Sequence, residues 1–437
     1  MQQQVLLLMS IPVVKMKKVF SVMLFSVLFS LAAAQEATGD STAKELNEIV
    51  ISGSKFAEKK RNIAQRIDVI SAKFIAKANT QNTGDLLMNT GNVFVQKSQQ
   101  GGSSPVIRGF EASRVLLVVD GVRMNNLIYR SGHLQNAITI DQNMLESMEV
   151  LYGPASTLYG SDALGGVVHF RTKAPKLSTV NKTFLVSGNS FVRYSSANNE
   201  KSAHVSLNPG WKKFAWLQSY TFSDFGDMKM GSNYPGKYPT FGRRDSFITR
   251  INNIDTVLKN TDSRVQKFSG YRQWDILQKL LFRQSEKISH AINFQYSNTT
   301  NVPRYDRLQD KRNFGGTAGN TLRWAEWYYG PQKRLLSTYE LSIAKTRWFD
   351  HINLNVNYQA IEESRVQREY RHYDRQDKRV EKVDVAGFIL DTRKTWNNHE
   401  LTMGADGQMN LLQSTASRTN INTSAVSTLD TRYPDGK

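Results

Sequence analysis

The 437-residue sequence contains no cysteine. Disulfides, thiolate metal sites, iron–sulfur clusters and cysteine nucleophiles are therefore excluded together. Long apolar runs are also missing. The longest, residues 19–31, is interrupted by serines and falls short of the roughly 20 residues a membrane-spanning helix needs. Histidine is sparse, with seven scattered copies and no H-E-x-x-H. A G-x-S-x-G motif is absent too, so no hydrolytic metal site or nucleophile elbow is legible and no catalytic residue is assigned. Acidic residues are outnumbered 38 to 57 by basic ones, a net charge of +19. That excess has no compact centre. Residues 35–175 carry +2, residues 176–437 carry +14, and Lys15, Lys17 and Lys18 supply the rest. Charge so dispersed argues against a nucleic-acid partner. A hydrophobic content of 40% with 10% aromatics excludes a wholly disordered chain.

What is present begins with an export signal. Met16-Lys17-Lys18 precedes the apolar run, and Ala32-Ala33-Ala34 precedes Gln35. A basic flank, a short apolar stretch and small residues before a cleavage point form a secretory signal peptide. Residues 1–34 are read as that signal with an upstream extension, and residues 35–45 as a flexible leader. An exported chain without an apolar helix is either soluble or a closed β-barrel, the only other structure that satisfies its backbone in lipid.

Two regions follow, with different patterning. From about residue 48 to 173 the text is that of a compact mixed α+β domain. Residues 66–70 read as a strand, 71–78 and 83–88 as short helices with Thr83 as a cap, and 144–147 as a short helix. Residues 115–119 form a continuous apolar strand, and Asp120-Gly121 is a hairpin turn signal. Beyond about residue 180 the period is two. In Ile352-Asn353-Leu354-Asn355-Val356-Asn357-Tyr358-Gln359 every even position is apolar and every odd one polar, the pattern of a strand with two unlike faces. Nine strands are expected: 183–194, 201–208, 211–223, 269–283, 288–298, 334–347, 352–373, 381–394 and 399–410. Alternate connections are short, with Asn208-Pro209-Gly210 as one turn, whereas two of the others are very long. Short turns at one end and long loops at the other mark an outer-membrane barrel.

The run Pro105-Val106-Ile107-Arg108-Gly109-Phe110, then Arg114 to Arg123, and then Glu149-Val150-Leu151-Tyr152-Gly153-Pro154 through Gly165-Gly166-Val167-Val168, resembles the plug domain of TonB-dependent outer-membrane receptors. The resemblance is close over residues 46–175 and looser beyond. Ser147 and Tyr152 stand where many relatives carry Arg. It implies an all-β barrel in the bacterial outer membrane, 22-stranded in the family and incomplete here with about nine strands. An N-terminal plug would fill it, with residues 53–175 as plug and 176–437 as partial barrel. Nine strands cannot close a bacterial barrel, whose strand number is even, so an N-terminal fragment is expected.

The resemblance also implies site residues. Leu46, Asn47, Glu48, Ile49, Val50, Ile51 and Ser52 occupy the place of the TonB box, a short β-prone segment that adds a strand to the inner-membrane partner TonB. The same segment reads equally as the first plug strand. Arg108 and Arg123, beside Glu111, Glu146 and Glu149, are expected to pair and anchor the plug to the wall. Tyr129, Arg130 and His133 fall in the plug loop that meets ligand in relatives such as the cobalamin transporter. Tyr370 and His372 form a second basic-aromatic cluster. Haem iron takes His or Tyr, and Arg pairs with its propionates. The expectation is a monomeric, TonB-dependent importer of an iron chelate or haem, without intrinsic cofactor or metal, in contact with lipopolysaccharide. Cobalamin uptake, or ligand sensing without transport, is the alternative.

Overall fold

The computed structural model describes residues 49–436 except 125, 130–135, 234–235 and 317–318. The expected signal and leader lie outside the described residues, as do Leu46, Asn47, Glu48, Arg130 and His133.

The mixed domain is built on a five-stranded sheet. Short strands β1 (Ile49–Val50) and β2 (Glu58–Lys59) pair with each other ahead of it. β3 (Ile67–Ser71) leads into α1 (Ala72–Ala78), which Ser71 caps by accepting from the Phe74 amide at 3.3 Å. α2 (Thr83–Met88) is capped by Asn82, not by Thr83. Thr83 is fully buried and donates its hydroxyl to the Ile140 carbonyl instead. β4 (Phe94–Gln96) and β5 (Ser104–Val106) form a separate ribbon. β6 (Val115–Val119), β7 (Val122–Arg123), β8 (Leu145–Tyr152) and β9 (Gly166–Thr172) complete the sheet in the order β3-β8-β9-β6-β7. α3 (Ser156–Tyr159) lies between β8 and β9. Asp120 at φ +48° and Gly121 at φ +85° make the two-residue turn that the sequence indicates. Residues 145–147 are strand, and only Gln142–Met144 is a 3-10 turn. Ser147 thus pairs with Arg171 of β9 and Ser71 of β3, and Glu146 sits at the register shift beside it rather than in a helix. β6 is buried on both faces, with Val115 to Val119 at most 2% exposed. Its alternating sides feed two apolar clusters, Leu117 and Val119 in one, Leu116 and Val118 in the other.

The second region is one antiparallel sheet. Its long strands are β10 (Phe184–Ser195), β11 (Glu200–Trp211), β12 (Phe214–Phe225), β15 (Tyr271–Arg283), β16 (Ile288–Thr299), β21 (Lys333–Ala344), β22 (His351–Glu369), β23 (Gln376–Trp396) and β24 (His399–Thr419). They pair in chain order, and β25 (Val426–Thr428) adds to the end of β24. Among the described residues the sheet does not close. All nine expected strands are present. Asn208-Pro209-Gly210 is not a turn, because β11 runs on to Trp211 and the turn falls at Lys212-Lys213. Proline lacks an amide hydrogen, and the β11–β12 ladder is interrupted between Leu207 and Gly210.

The long loops carry structure the pattern did not reveal. The hairpin β13 (Ser246–Ile251) and β14 (Ile254–Lys259) fills one. The other holds β17 (Val302–Pro303), β18 (Lys311–Asn313), β19 (Asn320–Leu322) and β20 (Trp324–Tyr329), which extends the sheet along β22.

Burial in this sheet is inverted. In β11, Ser202, His204, Ser206 and Asn208 are at most 6% exposed, whereas Val205 and Leu207 are 49% and 44% exposed. In β12, Ala215 and Ser219 are fully buried, with Trp216, Tyr220 and Phe222 outside. Apolar rows facing out and polar rows facing in suit a sheet whose outer solvent is lipid. A 12-residue strand such as β11 spans about 40 Å, or roughly 28 Å along the normal at a 45° tilt, close to the lipid-facing band of outer-membrane barrels.

Candidate functional site

The polar row of the sheet meets the mixed domain through hydrogen bonds to its turns. Asp120, at the β6–β7 turn, accepts from the Thr172 amide at 2.8 Å and the Thr172 hydroxyl at 2.6 Å. Its carboxylate also meets Lys279 Nζ at 3.0 Å, Asn293 Nδ2 at 3.1 Å and Gln295 Nε2 at 3.1 Å. Burial alone would raise the Asp120 pKa. The Lys279 ammonium and the Thr172 donors outweigh it and hold the carboxyl below its usual range. Arg334 donates to the Thr139 carbonyl at 3.0 Å and Gln273 to the Ile138 carbonyl at 2.7 Å. Gln359 donates to the Arg123 carbonyl at 2.9 Å.

Of the four expected anchors, Arg123 reaches the sheet, with Nη2 2.6 Å from Asp406. Arg108 is exposed with its guanidinium 5.7 Å from the Tyr152 ring, and Glu146 is also exposed. Tyr152 itself donates to Asp68 at 2.9 Å. Glu149 is fully buried, yet its partners lie within the mixed domain: the amides of Ile51 (3.0 Å) and Ser52 (2.8 Å), and Arg171 at 3.9 Å. A carboxylate satisfied by two amides needs no partner from the wall. Asp120, a residue singled out only for its turn, joins Arg123 in contacting the wall.

Ile49 to Ser52, the described part of the segment expected to be the TonB box, is held against β2 and Glu149 of β8, with Val50 and Ser52 fully buried. Lys55 follows at φ +68°, its ammonium 4.1 Å from the Tyr159 ring. Burial lowers its pKa, with Asp391 and Asp406 of the sheet opposing. Glu58 meets Arg393 of β23 at 2.9 Å. Ile51 and Lys55 line a cavity of about 350 Å³ together with Asp120, His169, Lys279 and Asp391. His169 Nε2 accepts from the Gly121 amide at 3.2 Å, and burial pushes its pKa down to about 4.

At the long-loop end, Tyr129 is only 8% exposed and donates to Glu363 of β22 at 3.0 Å. It is a contact between domain and wall, not a presented side chain, and burial raises its pKa. Tyr370 is likewise buried, in a cluster with Ile248 and Leu322 and edge-on to Phe314. His372 is more open, at a turn 3.9 Å from Glu369. The pair expected as one cluster is thus divided between a core and a surface. Sequence reasoning missed a guanidinium–aromatic stack. Arg304 and Arg365 lie 4.9 and 5.3 Å from the Trp327 ring, and 6.0 and 5.7 Å from the Tyr329 ring. Such stacks hold flat cationic groups over aromatic faces. The signal was the aromatic density of Trp324-Ala325-Glu326-Trp327-Tyr328-Tyr329, within a stretch read as loop. The Asp306 amide donates to the Ser98 carbonyl at 3.3 Å, so this wall adjoins the mixed domain. Among the described residues no group of three or more His, Asp or Glu could hold a metal ion.

Comparison with known proteins agrees with this architecture. The family model "TonB-dependent Receptor Plug Domain" matches residues 59–167. A vitamin B12 transporter of Vibrio vulnificus is 29% identical over 191 residues, 43% of this chain and 30% of that protein. A haemoglobin and haemoglobin-haptoglobin-binding protein of Haemophilus influenzae is 26% identical over 351 residues, 76% of this chain and 30% of its own length. Among solved structures, the copper transporter OprC superposes with a TM-score of 0.61 at 12% identity, covering 84% of this chain and 50% of that one. The Serratia marcescens hemophore receptor HasR, solved with its hemophore and heme, gives 0.59 at 14%, covering 83% and 47%. The chain thus spans about 30% of the length of these curated relatives.

Proposed function

We propose that this chain, which belongs to the TonB-dependent outer-membrane receptors, imports an iron chelate or haem with energy delivered through TonB. The guanidinium–aromatic stack of Arg304 and Arg365 on Trp327 and Tyr329 carries this reading. Stacked guanidiniums fix donors and charge beside an aromatic face, which suits a flat or anionic ligand. The extent of similarity supports the same choice. The haemoglobin-binding relative aligns over 76% of the chain, wall included, whereas the vitamin B12 transporter aligns over 43%. Cobalamin stays as the second reading because 30% identity is reached with another vitamin B12 transporter, of Vibrio vulnificus, over 145 residues.

Leu46 to Ser52 is the coupling segment in this account, and its described part, Ile49 to Ser52, stays docked until TonB draws it out. The two Glu149 contacts and the β1–β2 pairing are the bonds that release would break. Relatives of this kind are receptors and transporters rather than enzymes, and the chain works with no intrinsic cofactor. A strain lacking its own haem and siderophore receptors, expressing the receptor that contains this chain, tests the proposal. Growth on haemin or a ferric siderophore as sole iron source supports it. Growth restored only in cobalamin dependence overturns it. Deleting residues 46–52 should abolish uptake while surface binding persists.

A further inference from the structure

The guanidinium-rich cleft at the outer end of β22 is separate from the stack above. It has a volume of about 310 Å³ and is lined by Arg312, Arg323, Glu369, His372, Arg375 and Arg418, with Trp324 alongside. Glu369 lies on the plug-facing row of β22, in register with Glu363, which Tyr129 meets, and Gln359, which meets Arg123. At about 3.3 Å per residue, the six residues from Glu363 to Glu369 place the cleft roughly 20 Å farther along the strand than the Tyr129 contact, about 14 Å outward at a 45° tilt.

Two guanidiniums share the one Glu369 carboxylate. Arg312 Nη1 sits 2.6 Å from one oxygen and Arg323 Nη2 2.7 Å from the other. One carboxylate neutralises one cation, so this trio keeps a surplus positive charge. The geometry is fixed around it. Arg323 stacks on Trp324 at 4.5 Å, Trp324 Nε1 donates to Asp310 at 3.2 Å, and Arg418 holds Asp377 through two bonds of 2.6 and 3.0 Å. Guanidinium forks recognise carboxylate and phosphate oxygens two at a time.

We propose that this cleft is an outer anion-binding station that captures the carboxylate of an incoming ligand before it reaches the plug. The proposal rests on the uptake reading above, because it names the chemistry of what is taken up. Glu369 acts there as an internal competitor for the arginines. A phosphate of lipopolysaccharide could offer similar oxygens, but the cleft opens on the plug-facing row, where ligand travels.

Citrate without metal, haemin and the dimethyl ester of haemin are the probes, titrated into the purified full-length receptor in detergent. Citrate and haemin should bind about tenfold more weakly to the R312Q/R323Q variant, with ester binding unchanged. E369Q, which removes the competing carboxylate, should tighten citrate several-fold. Both variants should keep the heat-modifiable band on a gel, which separates lost contacts from lost fold. Citrate and haemin affinities that move in neither variant overturn the station. So does ester binding that falls as far as haemin binding, and so does tight binding of lipopolysaccharide that R312Q/R323Q abolishes while citrate is unaffected. Citrate binding with the stated variant effects, in a receptor that transports no iron compound, would sink the uptake reading and leave the site standing.

Discussion

The plug and the wall solve burial in opposite ways. In the plug, β6 is a solid apolar strand with both faces covered, and its neighbours supply two cores. In the wall, the buried row is Ser202, His204, Ser206 and Asn208, and the exposed row holds Val205 and Leu207. The plug is organised as a water-soluble domain is. The wall exposes its apolar row to lipid, and its polar row finds partners in the plug's turns. Each region thereby supplies the other's missing surface: Asp120 of the plug is satisfied by Lys279, Asn293 and Gln295 of the wall.

The sharpest contrast is between a core deletion and a surface charge. Leu117→Ala removes a fully buried side chain and should cost the plug about 2–5 kcal/mol. Limited proteolysis should then cut the plug while the barrel still inserts. Val205→Arg, on the exposed row, should cost about 2–4 kcal/mol if that row meets the bilayer midplane. Loss of the heat-modifiable band reads it. Ser206→Ala on the opposite row should change stability by no more than about 1 kcal/mol, the scale of one hydrogen bond. Equal effects of the Val205 and Ser206 changes would erase the distinction between faces.

Much of this was legible because the two regions speak different patterns. The nine wall strands follow from alternation that continues for a dozen residues, and the β6–β7 turn from Asp120-Gly121 alone. What stayed hidden depends on contacts remote in sequence. The β13–β14 hairpin is fixed by Asp255, which accepts from Arg368 at 2.6 and 2.9 Å across 113 positions. Neither residue signals this by itself. Tyr370 reads as a ligand contact beside His372, yet at the turn after β22 it is buried by Ile248 and Leu322, residues remote in sequence. Glu149 reads as an anchor to the wall, and its carboxylate is used by the backbone of Ile51 and Ser52. The role of Asp120 was masked by its turn chemistry, since one residue serves both.

Acid should act on the seam between the regions in two steps. His169 has its pKa lowered to about 4 by burial, so the unfolded chain binds a proton that the folded plug refuses. Its contribution is complete above the unfolded value of about 6.5 and is lost as pH falls from there toward 4. His169→Gln should flatten plug protease resistance across that window. Asp120 titrates lower: its pKa is held below the ordinary carboxyl value mainly by Lys279 against the opposing burial. Its contribution is present above that ordinary value and fades only as pH falls below about 4. Lys279→Ala should move that second loss to higher pH. This is the smallest of the expected effects, read as the midpoint of acid-induced plug release.

The absence of cysteine makes the central claim directly measurable. Single cysteines placed at each position from 202 to 208 in β11, labelled with bimane in outer-membrane proteoliposomes, report lipid contact through quenching by doxyl phospholipids. Strong quenching at 203, 205 and 207 with little at 202, 204, 206 and 208 is the expected result. Uniform quenching, or the reverse alternation, would contradict a wall whose apolar row faces lipid and whose polar row faces the plug.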